Sequence, residues 1–174
     1  MKSILTYIKE SLNIFEKQNP FNVWIMVGLP GSGKSTYIKE ELPKNIEIVN
    51  QDSIRVELGI MKDDEHKAIG DKEQEKEVTR INDERINELI RQRKDFVIDN
   101  TNIKTGRVEN YYSKLNKAGA NVKIVIIDTP KDVCKKRRND CIPEKVIDDM
   151  ELGINKVKKT FKDNKDTIII KNRY

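Results

Sequence analysis

The segment Gly28-Leu29-Pro30-Gly31-Ser32-Gly33-Lys34-Ser35, followed by Thr36, constrains this 174-residue chain more than anything else in it. It matches G-x-x-x-x-G-K-[ST] at every fixed position. The apolar run Val23-Trp24-Ile25-Met26-Val27 precedes it, and a helical pattern over residues 35–42 follows. In such a strand–loop–helix the glycines let backbone N–H groups turn inward, and the helix presents its positive end to whatever they surround. That is a cradle for a polyphosphate, lined by Gly31, Ser32 and Gly33. Lys34 can reach the β and γ oxygens, the Ser35 hydroxyl can ligate a bridging magnesium ion, and Thr36 can donate to the α-phosphate. Read instead as a glycine-rich turn with an incidental lysine, the segment leaves the strand before it and the helix after it unexplained. Nucleoside triphosphate binding is the expectation.

Four more short apolar runs resemble the first, at residues 46–49, 96–98, 122–127 and 167–170. Helical patterns lie between them. Val78, Ile81, Arg85, Ile86, Leu89 and Ile90 give the stripe of one long helix, and others are expected over residues 105–117, 131–138 and 143–159, where Pro143 is placed to open a helix. Strands apolar on both faces and separated by helices predict a parallel sheet covered on both sides. The fold expected is α/β, a three-layer α/β/α arrangement with a five-stranded parallel sheet over residues 21–174. Ile4, Leu5, Ile8, Leu12 and Phe15 are spaced for one face of a helix, ended by Asn19-Pro20. Residues 1–20 therefore read as an appended amphipathic helix, with capping of the sheet, self-association or a partner protein as its uses.

No window holds 18 apolar residues and the start lacks the unbroken apolar run of a signal peptide, so a soluble, cytoplasmic protein without a membrane span is expected. Two cysteines, Cys134 and Cys141, exclude a disulfide scaffold and read as reduced thiols. His66 has no Cys or second His beside it and reads as a solvated loop residue rather than a metal ligand. The net charge of +5 arises wholly in residues 131–174, which carry 13 basic and 8 acidic side chains. That excess suits an anionic partner or, equally, a solvated lysine-rich surface. Adjacent Tyr111 and Tyr112 can stack a base, or one of them can pack inward.

Ligands of open α/β sheets gather at the carboxyl ends of the strands. Beyond the second run comes Asn50-Gln51-Asp52-Ser53-Ile54-Arg55, where Asp52 and Arg55, three apart on a helical turn, share a face. A carboxylate there can accept the proton of an attacking hydroxyl, and the guanidinium can hold an anionic group; Asp52 also reads as a helix N-cap. Beyond the third run comes Asp99-Asn100-Thr101-Asn102. An acid at that point is the usual Walker B magnesium ligand, or a cap for the helix that starts near residue 104, a role open to Asn102 in either case. The cluster Lys135-Lys136-Arg137-Arg138 can close over phosphates or end a helix in solvent.

Taken together, G-L-P-G-S-G-K-S-T, N-Q-D-S-I-R and D-N-T-N-I-K-T-G-R resemble the kinase domain of phage-type polynucleotide kinases, within the small P-loop kinases related to adenylate kinase, over residues 23–150. The resemblance implies a P-loop kinase fold with a lid. It implies ATP as donor with Mg2+, and transfer of the γ-phosphoryl to the 5′-hydroxyl of DNA or RNA, single-stranded or with an exposed end. It assigns Lys34 and Ser35 to phosphates and magnesium, Asp52 as general base and Arg55 to substrate phosphate, and it places Asp99, Thr101 and Asn102 on the acceptor side. Arg138, with Arg137 beside it, stands in for the lid arginine. Only two residues separate Arg138-Asn139 from Ile142-Pro143, so the lid is short, and no D-x-D-G-T phosphatase motif is present. A small-molecule acceptor (nucleoside, sugar or nucleotide sugar) is the alternative within the same chemistry. A nucleotide-sensing module without an acceptor is the alternative outside it.

Overall fold

The computed structural model describes residues 3–4, 20–61, 70–138 and 142–171. Five strands alternate with six helices among them: β1 (Phe21–Val27), α1 (Lys34–Glu41), β2 (Glu47–Val49), α2 (Gln51–Glu57), α3 (Lys72–Gln92), β3 (Phe96–Ile98), α4 (Thr105–Lys117), β4 (Ala120–Asp128), α5 (Lys131–Arg137), α6 (Glu144–Phe161) and β5 (Thr167–Lys171). Every strand pair is parallel and the order is β2-β3-β1-β4-β5. The expected three-layer α/β/α fold is the one observed. Most of the N-terminal helix expected over residues 1–20, His66, Cys141 and the middle of the short lid segment lie outside the described residues.

β1 and β4 run longer than their apolar runs. Phe21 and Asn22 pair with Ala120 and Asn121. The polar side chain at that end is satisfied, because Asn22 donates from its backbone and its amide to the two Asp95 carboxylate oxygens at 2.7 and 2.9 Å. Further along, side chains alternate between two dry layers. Phe21, Val23, Ile25 and Val27 pack against Ile86 of α3, Leu115 of α4, Cys134 of α5 and Ile147 of α6. Trp24 and Met26 face Tyr37, Ile38 and Leu42 on and just past α1. Burial of each such side chain stabilises the fold by about 1.5–3 kcal/mol, which outweighs any local propensity.

The chain leaves β1 for the far edge at β2, returns through β3, and crosses to β4 on the other side of β1. Loops beyond the strands' carboxyl ends therefore diverge around β1 and open a crevice there. α6 crosses close to one of those loops. A side chain at Gly153 would bring its Cβ to 2.7 Å from the Ile103 carbonyl oxygen, so glycine is what lets the helix press on the chain beyond β3. Among the described residues no helix is long and apolar enough to cross a membrane.

Candidate active site

The loop after β1 carries the glycine conformations expected of it. Gly31 and Gly33 have φ of +80° and +101°, in the left-handed region that other residues avoid. A Cβ on Gly31 would lie 2.7 Å from the Cys134 carbonyl and 2.9 Å from Arg138 Cγ, so the last turn of α5 rests directly on the loop. Ser32 is fully buried and its carbonyl accepts from Thr129 Oγ1 at 2.8 Å, so this residue serves the loop through its backbone. The Gly28 N–H donates to the Thr101 carbonyl at 3.2 Å, tying the loop to the segment beyond β3.

Lys34 donates from Nζ to the Gly28 and Leu29 carbonyls, both at 3.0 Å. Burial pushes its pKa down, while Asp99 foremost, then Cys134 and Asp52, pull it back up. Arg137 donates to the Gly31 carbonyl at 3.3 Å. Arg138 Nε is buried beside the loop with no partner among the described residues. Both arginines thus stand at the loop, carried by the end of α5. Lys135, from the same cluster, is paired with Glu144.

At the end of β2 the N-cap of α2 is Asn50, whose side-chain oxygen accepts from the N–H groups of Asp52 at 2.7 Å and Ser53 at 3.1 Å. Asp52 is therefore not the cap. Its carboxylate is 61% exposed and accepts from Arg55 Nη1 at 2.6 Å. Arg55 in turn spends Nε and Nη2 on both carboxylate oxygens of Glu75, at 2.9 and 2.8 Å. This bidentate pair raises the guanidinium's pKa and lowers that of Glu75. The expected anion-binding arginine is thus held between two carboxylates.

At the end of β3 Asp99 is only 8% exposed. Burial pushes its pKa up, against the pull of Lys34, an Asn50 hydrogen bond and a hydrogen bond from Ser35. The two predicted magnesium ligands, Ser35 and Asp99, are therefore in contact. Asn102 is placed differently from its predicted roles. It is buried at φ +49°, its amide donates to the Met26 carbonyl at 2.7 Å, and its side-chain oxygen has no partner among the described residues. Nor does it cap α4. Lys104 occupies that position, with no side-chain cap bond. The Asn102 amide braces the segment beyond β3 against β1. Neither tyrosine is left to stack a base: Tyr111 is buried and accepts from Asn82, and Tyr112 packs edge-on against Phe161 and donates to Asp166.

Sequence reasoning missed Glu75, Asn50, Asn82 and Asn100. Glu75 and Asn50 have local signals: Asp71 and Gln74 form a capping box that fixes the first turn of α3 and hence where Glu75 projects, and Asn50 is the N-cap of α2. The ties from Asn50 to Asp99 and from Asn100 to Asn82 span 49 and 18 residues, which no window reveals.

The donor set suits magnesium carried by a triphosphate. Mg2+ keeps water and phosphate oxygens and takes only one or two protein ligands. Ser35 and Asp99 could supply those, and no cluster of three His, Cys, Asp or Glu forms a cage among the described residues. The unpaired Arg138 Nε and the glycine cradle fit the phosphates.

Residues 23–151 match the sequence pattern of the AAA domain family. The chain belongs to that family. Among solved structures, this AAA domain superposes on a chain of the Pnkp1/Rnl/Hen1 RNA repair complex with a TM-score of 0.67 at 24% identity, over 84% of this chain and 48% of that one. It spans less than half the length of that larger chain. A sugar kinase from Janibacter sp. superposes with a TM-score of 0.56 at 16% identity, covering 89% of this chain and 87% of its own. For the APS kinase CysC of Mycobacterium tuberculosis, solved with AMPPNP and APS, the values are 0.53 and 15%, with 90% and 91% covered. No curated protein matches the chain's sequence. The fold of this AAA domain is that of the P-loop kinases.

Proposed function

We propose that this domain is a polynucleotide kinase that moves the γ-phosphoryl of ATP to the 5′-hydroxyl of DNA or RNA, single-stranded or end-exposed. The observation that carries the reading is Asp52. Asn50 relieves it of capping, so its exposed carboxylate stands at the strand ends with Arg55 at 2.6 Å and acts on the same Lys34 ammonium as Asp99. Asp52 takes the proton of the 5′-hydroxyl as that oxygen bonds the γ-phosphorus and the bond to ADP breaks. The loop's N–H groups and Lys34 hold the triphosphate, and Arg137 and Arg138 offset the charge that builds on the transferring group. Ser35 and Asp99 would hold Mg2+, which would supply neutralisation of the triphosphate's charge. The likeness to a chain of an RNA repair complex supports a nucleic-acid acceptor. A cytoplasmic location is part of this proposal.

A small-molecule acceptor is the second reading, and Arg55 favours it. With its guanidinium spent on Glu75 and Asp52, the acceptor side offers little free positive charge to track a nucleic-acid backbone. The sugar kinase and APS kinase likenesses point the same way.

Transfer of label from γ-labelled ATP with Mg2+, offered a 5′-hydroxyl oligonucleotide beside nucleosides and sugars, separates the two. Labelled oligonucleotide is expected, and Asp52→Asn should cut its formation by about 10²–10⁴-fold while ATP still binds. Label confined to a small acceptor replaces the first reading with the second. Undiminished transfer by Asp52→Asn removes Asp52 as the base.

A further inference from the structure

One side chain hydrogen-bonds to both residues whose carboxylates the proposed reaction uses. Asn50 accepts the Asp52 and Ser53 N–H groups on its oxygen, while its amide nitrogen donates to the Asp99 carbonyl at 2.7 Å and approaches Asp99 Oδ2 at 3.5 Å. Helix capping uses only the oxygen. The nitrogen has a different task, a bridge between the ends of β2 and β3 across 49 residues of sequence. We propose that Asn50 is a positioning residue for phosphoryl transfer, fixing the base Asp52 relative to the metal-side Asp99. This inference rests on the kinase reading of those two carboxylates and gives that site its supporting shell.

Two features make the bridge consequential. Asp52 is exposed and, among the described residues, has only Arg55 as a side-chain partner, so its place depends on where α2 begins. Asp99 is buried and hydrogen-bonded by Ser35 and Asn50, so a displacement there reaches Ser35 in the first turn of α1. A second tie keeps the two loops together if the first is cut. The Gln51 N–H donates to Asn100 Oδ1 at 2.9 Å, Asn100 donates to Asn82 Oδ1 at 3.3 Å, and buried Asn82 donates to the Tyr111 hydroxyl at 3.1 Å. The fold should therefore survive loss of Asn50, and the fine placement should not.

Serine and alanine at this position separate capping from bridging. Serine caps a helix about as well as asparagine but is too short to reach Asp99, and it adds no charge; alanine does neither. Tm, ATP affinity, and kcat and KM for ATP and acceptor are measured for Asn50→Ser and Asn50→Ala in the full chain. Asn50→Ser is expected to keep the wild-type Tm within a few degrees and the wild-type ATP affinity. Its kcat should fall by about 10–100-fold, the usual cost of losing a group that orients a site carboxylate, with the KM for ATP unmoved. Asn50→Ala should lose at least as much kcat and some stability besides. Wild-type kcat in Asn50→Ser overturns the proposal and leaves Asn50 a cap. So does a loss of ATP affinity and Tm in parallel with kcat, which marks a purely structural residue. A wild-type chain that phosphorylates only small acceptors defeats the polynucleotide reading, while the comparison of kcat between serine and wild type still decides the role of Asn50.

Discussion

The two halves of the crevice are built by different means. On the donor side, around the loop after β1, the structure is backbone: two left-handed glycines, carbonyls that hold Lys34, and a helix end pressed against Gly31. On the acceptor side, at the ends of β2 and β3, it is side chains reaching across the fold: Asn50 to Asp99, Arg55 to Glu75, Asn100 to Asn82. A polyphosphate is the same in every nucleotide, so a loop of N–H groups serves any such enzyme. The acceptor differs from enzyme to enzyme, and that half is assembled from residues that can be exchanged one at a time without disturbing the sheet.

The sharpest way to break the contrast is on the donor side. Gly31→Ala puts a Cβ at 2.7 Å from a backbone oxygen and holds alanine at φ +80°. The conformation alone costs about 1–2 kcal/mol, and the clash has no flexible atom to yield. The loop and the end of α5 must part, carrying Arg137 and Arg138 from the phosphates. A fall in kcat/KM for ATP of about 10²-fold or more is expected, the scale of a 1 Å misplacement. ATP affinity and Tm should fall with it. A Gly31→Ala enzyme with normal ATP affinity shows that backbone geometry does not govern that half.

How much could be read in advance follows the same division. The loop, its lysine and the strand–helix context are contiguous, so Gly31 to Thr36 were legible as a unit. β1, β3 and β4 were legible because strands in the middle of a parallel sheet are mostly apolar, the edge strands β2 and β5 from their Ile-rich segments, and α4 was predicted with the bounds it has. Asp52, Arg55 and Asp99 were legible as residue types at strand ends, but not their partners. Whether Asp52 caps α2 turns on which of two neighbouring side chains reaches the helix N–H groups, and Asn50 wins because it also has Asp99 to hold. Asn102 misled because a polar residue before a helix is usually a cap, whereas here the φ of +49° turns it onto Met26. The boundary at Phe21 was missed because Asn22 is polar and its partner Asp95 lies 73 residues on.

Asp99 sits where the two halves meet and gives an intermediate effect. Burial raises its pKa above the ordinary 3.8 of an aspartate, opposed chiefly by Lys34. Protonated Asp99 would not hold magnesium, so transfer should fall off on the acid side. Below that limb the loss is about tenfold per pH unit. Metal competes with the proton, and more Mg2+ should move the limb to lower pH. Stability runs the other way. A raised folded pKa favours the protonated form, and this contribution is full below the unfolded pKa and lost as pH rises through the folded one. Asp99→Asn should therefore raise Tm at neutral pH, lose that advantage in acid, and abolish the magnesium-dependent part of activity. A limb that ignores Mg2+ removes Asp99 from the metal.

The smallest effect belongs to Glu75, and it tests whether the acceptor half is assembled for substrate or for stability. Arg55 is 17% exposed and Glu75 38%, so their pair is partly screened and contributes at most about 1 kcal/mol. The Glu75 pKa is lowered, first by the hydrogen bond from Arg55. Its contribution is present above the unfolded pKa and lost as pH falls through the folded one, so any acid destabilisation should be blunted in Glu75→Gln. Glutamine keeps one acceptor for the guanidinium and gives up the charge. If Glu75 holds Arg55 in place for the acceptor, its KM should rise about two- to fivefold in Glu75→Gln, the equivalent of roughly 0.5–1 kcal/mol, with the KM for ATP unchanged. A lower acceptor KM has the opposite meaning: Glu75 then competes with the substrate anion for Arg55, and its release frees positive charge for a nucleic-acid phosphate. The sign of this one shift tells whether the acceptor half is a finished pocket or one that the substrate itself must open.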